Sequence, residues 1–176
     1  MADQLQRICP RIHTKRLFLR PPGAADAERI ASIVGDWNVA RYLARVPYPY
    51  GLADARYFLD HVAPGEWVWA ITLGDKDKLI GVIGLTSEEN GPSAELGYWL
   101  SPAHWGQGIA TEAARAIVSY GFETLGLPYI LSGYFEENPA SGRVLEKIGF
   151  TETGRFPRPC LADNSEKICA EMRLYP

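Results

Sequence analysis

Trp105-Gly106-Gln107-Gly108-Ile109-Ala110-Thr111-Glu112-Ala113 joins a glycine-rich turn directly to the first turn of an amphipathic helix. Two glycines one residue apart let the backbone take dihedrals barred to residues with a Cβ, so that successive N–H groups can converge on one point. The unpaired N–H groups of the first helical turn and the positive end of the helix dipole face the same point. A diphosphate fits there. Taken alone, a G-x-G turn also serves as a plain strand-to-helix connection, so its neighbours decide the reading. Downstream, Ile109, Ala113, Ala116, Ile117 and Tyr120 recur at helical spacing and predict a helix over residues 108–124, closed by Gly126. Upstream, Ala94-Glu95-Leu96-Gly97-Tyr98-Trp99-Leu100 is apolar enough on both faces to be a central strand, and it stops at Ser101-Pro102.

Further out, residues 12–20 read as a first strand stopped by Pro21-Pro22-Gly23. Helices are predicted over residues 25–34 and 52–62, separated by the aromatic connector Pro47-Tyr48-Pro49-Tyr50-Gly51. Strands follow at residues 67–73 and 79–86, joined by a polar hairpin loop at residues 74–78. Beyond the long helix, residues 129–135 form a strand. Asn138-Pro139 then caps and starts a last helix that Gly149 ends. Residues 151–156 and 167–174 suit a closing hairpin. An antiparallel meander followed by strand, helix, strand, helix implies an α/β (α+β) chain with a mixed sheet and helices on both faces.

The chain has 176 residues, 47% of them hydrophobic, which is enough for one full core and predicts a single domain over residues 1–176. A net charge of -3 and a pI near 5.6 offer no basic field for nucleic acid or an anionic membrane. No apolar run is long enough to span a bilayer, and residues 1–6 lack a secretory pattern, so a cytoplasmic protein is expected. Cys9, Cys160 and Cys169 match no zinc spacing, and His13, His61 and His104 are scattered, so no metal is expected. A dinucleotide-binding turn would need Gly or Ala where Thr111 stands, and a P-loop would need a Gly-Lys-Ser/Thr that is absent.

Four segments in order carry a family resemblance. Residues 14–21, Gly97-Tyr98-Trp99-Leu100, the glycine turn, and Asn138-Pro139-Ala140-Ser141-Gly142-Arg143 continuing to Phe150 together resemble the GNAT superfamily of N-acetyltransferases, and within it the RimJ/RimL-type branch, whose best-known members acetylate protein N-termini. The resemblance spans nearly the whole chain. It implies a mostly antiparallel mixed sheet with a splay between two parallel strands, and acetyl-CoA as co-substrate. By the same resemblance Gly106, Gln107, Gly108, Ile109, Ala110 and Thr111 would hold the diphosphate. Main-chain groups of Trp99 and Leu100 would pair with the pantetheine arm, the N–H near Leu100 would face the thioester oxyanion, and Asn138 and Ser141 would complete the cofactor site. Trp105 departs from the Arg or Gln usual at its place, which removes a side-chain contact but leaves the backbone grip.

For catalysis, Glu95 is the candidate base. It sits in an apolar strand on the face of Gly97 and Trp99, where desolvation would raise its basicity; a solvated or salt-bridged Glu95 is the competing reading. Leu145 stands where the family often places a proton-donating tyrosine, which leaves Ser141 as the nearest hydroxyl. Trp37, Tyr42, Tyr48, Tyr50 and a loop at residues 155–159 are candidates to line the acceptor site. The acceptor implied is a protein or peptide α-amine. Alternatives are a small amine of aminoglycoside or polyamine type, favoured by an acidic aromatic pocket, and a non-catalytic acyl-CoA sensor. A homodimer is compatible with the resemblance.

Overall fold

A computed structural model describes residue 7, residues 9–74 and residues 76–176. The segment at 1–6, read above for a secretory pattern, and Asp75 of the polar loop lie outside the described residues. Eight strands form one sheet: β1 (Ile12–His13), β2 (Leu17–Arg20), β3 (Trp67–Leu73), β4 (Gly81–Ser87), β5 (Ala94–Leu100), β6 (Ile130–Phe135), β7 (Thr151–Cys160) and β8 (Ser165–Leu174). Their order is β1-β2-β3-β4-β5-β6-β8-β7, with every neighbouring pair antiparallel except β5 and β6. The helices are α1 (Ala27–Val34), α2 (Trp37–Ala40), α3 (Leu52–Tyr57), α4 (Ile109–Glu123) and α5 (Pro139–Ile148).

The pleat divides the core into two layers. Trp69 and Ile71 of β3, Ile83 and Leu85 of β4, and Leu96 and Leu100 of β5 pack beneath Ile109, Ala113 and Ile117 of α4 and Leu145 of α5. Val68, Ala70, Val82 and Trp99 turn the other way, toward Ile30, Ile33 and Val34 of α1 and Ala55 of α3. The central strands are buried on both faces, hence their apolar runs without alternation. A third, smaller cluster joins Ala40 of α2 to Phe135, Cys160 and Cys169, so the closing hairpin is tied to the segment after α1. Cys9, Cys160 and Cys169 are buried and free.

Several expectations need correction. Residues 12–20 are a two-strand ribbon rather than one strand, because the Thr14 hydroxyl accepts from the Leu17 N–H at 3.0 Å and turns the chain at Thr14-Lys15-Arg16. The first helix opens as a 3-10 turn at Ala24–Asp26 before α1, and the third continues as a π turn at Phe58–Val62. The single-turn α2, capped by Asp36 onto the Asn38 N–H, had no periodicity long enough to be read. The expected loop at 155–159 is part of β7. Pro157 and Pro159 do not stop it, because β7 is the sheet edge and two prolines of the same parity both turn their N positions away from β8.

Candidate active site

The sheet is continuous except at one seam. Parallel pairing of β5 with β6 covers only Ala94 with Ile130 and Glu95 with Leu131. One further link follows, from Ser132 Oγ to the Leu96 carbonyl at 2.9 Å, and then the strands part. The cleft between them has a volume of about 1060 Å³ and runs from the glycine turn to the aromatic connector. Both of its walls are strand edges, so beyond Leu96 the main-chain groups on that edge of β5 have no strand partner.

Strand parity decides which ones. The Leu96 carbonyl faces β6, whereas Ser101 N–H bonds the Ile80 carbonyl on the β4 side, and the Trp99 carbonyl would meet any Cβ placed on Gly81. Main-chain groups of Leu96, Tyr98 and Leu100 therefore look into the splay, and those of Trp99 look toward β4. The position two residues from Leu100 with the same outlook is Tyr98. The Leu100 carbonyl is already taken by Trp105 Nε1 at 2.9 Å, which gives the motif's odd tryptophan a bracing role between the strand and the turn.

At the head of α4, Gly106 has φ 71° and Gly108 has φ 74°, the left-handed region where a side chain is strained. Gly108 is the helix N-cap, and the first bond of the helix runs from the Glu112 N–H to the Gly108 carbonyl at 3.0 Å. The N–H groups of Ile109, Ala110 and Thr111 precede it and so have no partner within the helix. Gly106, Gly108, Ile109, Ala110 and Thr111 line the cleft; Gln107 does not, its side chain turning back to the Ala103 carbonyl at 2.9 Å.

A strand edge that parts from its parallel neighbour above a positive-φ turn and a bare helix head is the arrangement expected for pantetheine and diphosphate. The chain matches the family model described as the acetyltransferase (GNAT) domain over residues 16–151. It belongs to the GNAT family. It is 34% identical to the uncharacterized N-acetyltransferase YoaA of Bacillus subtilis over 157 residues, covering 82% of this chain and 85% of that one. Its fold is similar to that of a GNAT-family acetyltransferase from Bacillus anthracis, with a TM-score of 0.84, 26% identity, and coverage of 94% of this chain and 98% of the other. A spermidine N-acetyltransferase from Vibrio cholerae, solved with CoA and spermine, shares the fold at a TM-score of 0.78 and 23% identity over 92% of this chain and 96% of that one. GNAT enzymes take the acetyl group from acetyl-CoA and pass it to an amine, and this N-acetyltransferase is a transferase of that kind.

Among the acetyltransferase's polar residues, Glu95 is salt-bridged. Arg158 of β7 donates to it through Nη1 at 2.7 Å and Nη2 at 3.1 Å, and Arg45, between α2 and α3, donates through Nη2 at 3.1 Å. These bonds raise the Arg158 pKa above its usual value. Three of about four acceptor positions on the carboxylate are thus filled and one is open. Neither arginine was legible as a partner, because each comes from a different segment brought over the cleft by the sheet and the α2-to-hairpin cluster.

Ser141 lies in the first turn of α5 with its N–H on the Asn138 carbonyl at 3.1 Å and the Asn138 Oδ1 at 3.3 Å. Its Oγ is 2.8 Å from the Tyr98 hydroxyl, which also donates to the Ser141 carbonyl at 3.2 Å. Burial pushes the Tyr98 phenol up to about 12, the Ser141 bond pulling weakly the other way, so it remains a donor at neutral pH. Ser141, Asn138 and Tyr98 all line the cleft, while Leu145 is wholly buried in the core. Tyr98 was missed in the sequence, although its parity with Leu96 and Leu100 placed it on the face toward α4 and α5.

At the other end, Tyr42 and Tyr50 line the cleft, together with Tyr57, Phe58, Asp54 and Glu66. Burial first, and the Asp54 charge second, push Tyr50 up to about 12. Trp37 and Tyr48 do not line it: they pack edge to face on each other at 4.9 Å and are exposed. His104, given no role above, does line it. Its burial, with Arg29 and Lys78 nearby, lowers its pKa and keeps it neutral at pH 7. Among the described residues, no group of three or more His, Cys, Asp or Glu could hold a metal, and no helix is long and apolar enough to cross a membrane.

Proposed function

We propose that this acetyltransferase acts on the α-amino group of a protein or peptide, in keeping with the RimJ/RimL-type resemblance of its sequence. The observation that carries the reading is the splay beyond Glu95, which opens a through-going cleft between a main-chain grip at one end and an aromatic rim at the other. The N–H groups of Gly108, Ile109, Ala110 and Thr111 would hold the cofactor diphosphate, and the main-chain groups of Tyr98 would meet the pantetheine arm. Leu100 N–H would stabilise the charge that develops on the thioester oxygen.

The proton inventory favours an α-amine. At pH 7 roughly a tenth of an α-amine is unprotonated, against less than roughly a thousandth of a lysine amine. Glu95, already accepting from two guanidinium groups, has one position left to take the departing proton through a water. An acceptor that sheds its proton readily suits such a base. On the opposite face of β5, the Tyr98 hydroxyl and Ser141 Oγ share a hydrogen bond in which either can donate; with Tyr98 as the donor, the Ser141 hydrogen would be free to point at the departing thiolate. CoA thiolate leaves well enough that a hydrogen bond suffices.

A second reading rests on Asp54 and Glu66. These carboxylates line the aromatic end beside Tyr42, Tyr50 and Tyr57; Asp54 accepts from the Gly51 N–H at 2.8 Å and Glu66 from the Thr86 hydroxyl at 2.9 Å, and among the described residues neither is in a salt bridge. They would suit a small cationic amine. Thiol titration of released CoA separates the readings: peptides with free N-termini should turn over, and the same peptides blocked at the N-terminus but carrying lysine should not. Turnover of polyamines or aminoglycosides alone would replace the first reading by the second. Stabilisation by acetyl-CoA with no turnover of any amine would make the chain a sensor.

A further inference from the structure

The turn between β1 and β2 lies against the head of α4, more than ninety residues away in sequence. Arg16 Nη1 donates to the Gln107 carbonyl at 2.8 Å, and Arg16 Nε donates to Glu112 Oε2 at 2.6 Å. The other carboxylate oxygen of Glu112 accepts from the Arg16 N–H at 2.8 Å and from Thr14 Oγ1 at 2.6 Å. One guanidinium thus spans the glycine turn and the first turn of the helix, and one carboxylate locks that guanidinium in place.

We propose that Arg16 and Glu112 are positioning residues for acetyl-CoA, fixing the peptide plane between Gln107 and Gly108 so that its N–H is aimed at the diphosphate. This rests on the reading of that turn as the diphosphate site. In a trans peptide the carbonyl and the N–H point in opposite directions. Pulling the Gln107 carbonyl toward Arg16 sends the Gly108 N–H the other way, toward the cleft that Gly108 lines and that neither Gln107 nor Arg16 lines. The anchor matters here because Gly106 and Gly108 flank this segment, and residues without a Cβ let a peptide plane rotate at little cost.

Charge supplies a second reason. Glu112 is an anion in the first turn of α4, where it suits the helix dipole but would repel a diphosphate. Arg16 compensates it from the side away from the cleft. Lysine could not do the same, since its single ammonium cannot reach a carbonyl and a carboxylate with the geometry of a planar fork.

The test compares donors in steady-state kinetics of Arg16→Ala, Arg16→Lys and Glu112→Gln, using acetyl-CoA, its 3′-dephospho form and S-acetylpantetheine, which lacks the diphosphate. Losing one well-aimed charge-assisted hydrogen bond should raise KM for acetyl-CoA about 10-fold in Arg16→Ala, with kcat held within about 2-fold. The 3′-dephospho donor should show the same loss, and S-acetylpantetheine almost none. Arg16→Lys should not rescue. Glu112→Gln, which keeps acceptors for Thr14 and the Arg16 main chain, should move in the same direction by less, and it carries the test if Arg16→Ala does not fold. An equal loss with all three donors, or a loss that disappears with the 3′-dephospho form, overturns the proposal. If the wild-type enzyme itself uses acetyl-CoA and S-acetylpantetheine equally well, the diphosphate reading has failed, and this proposal fails with it.

Discussion

Gly108→Ala tests the backbone of the glycine turn without touching any side chain that reaches the cleft. A Cβ at this position would have one neighbour, Arg16 Nη2 at 3.5 Å, which is ordinary contact. Sterics with the surroundings therefore contribute nothing, and the whole cost comes from holding alanine at φ 74°. That cost is about 1–2 kcal/mol. For a chain of 176 residues each kcal/mol moves the melting temperature by about 2–4 °C, so a drop of about 2–8 °C is expected. The turn is pinned on both sides, by Arg16 on the Gln107 carbonyl and by the Glu112 N–H on the Gly108 carbonyl, so the strain should stay in place rather than relax the loop. Stabilisation by acetyl-CoA, about 2.7 kcal/mol at a hundredfold excess over Kd, should then survive in the variant. Gly108→Asn should lose less than alanine, because asparagine tolerates the left-handed region better. Melting curves with and without acetyl-CoA supply every quantity. An unchanged melting temperature, equal losses for Ala and Asn, or a vanished acetyl-CoA response would each refute the reasoning.

Gly97 lines the cleft in extended backbone, and a Cβ there would meet nothing within 4 Å; Gly97→Val should therefore keep or slightly raise the melting temperature while lowering kcat/KM for the acceptor, and an unchanged kcat/KM would place the acceptor elsewhere. A double-mutant cycle of Glu95→Gln with Arg158→Ala should give a coupling of about 1 kcal/mol in denaturant unfolding, modest because both side chains are about a third exposed; additive losses would show that the pair contributes nothing. Tyr50 and Tyr98 are both pushed up to about 12 from 10, so the folded chain keeps protons that the unfolded chain sheds. Stability should therefore be full below pH 10 and fall between about pH 10 and 12, less so in Tyr98→Phe, and a flat profile across that range would contradict the burial assigned to them.

What could be read in the sequence was whatever is decided locally. The Asn138-Pro139 start and Gly149 stop of α5, the αL glycines before α4 and the span of β5 follow from caps, dihedral freedom and apolar runs that each involve a few adjacent residues. The two-residue β1 was lost in a longer apolar-polar run because one threonine hydroxyl makes the turn. Glu95 was legible as an unusual carboxylate in an apolar strand. Its two arginines were not, since they are 50 and 63 residues away and only the folded sheet brings them together. Trp99 and Tyr98 differ in outlook by one step of the pleat, a distinction that needs the β4 pairing to anchor it. Trp37 and Tyr48 show the limit of composition: aromatic residues near a site satisfy one another as readily as a ligand.

The glycine turn meets its proposed ligand with peptide groups, and every residue except proline carries the same ones. Replacements at Gln107, Ala110 or Thr111, none of which is buried in the core, would therefore leave donor recognition largely intact, whereas Ile109 is held by its packing. A lineage built on such a hold is free to experiment at the opposite rim, trying new amines while never losing the acetyl supply.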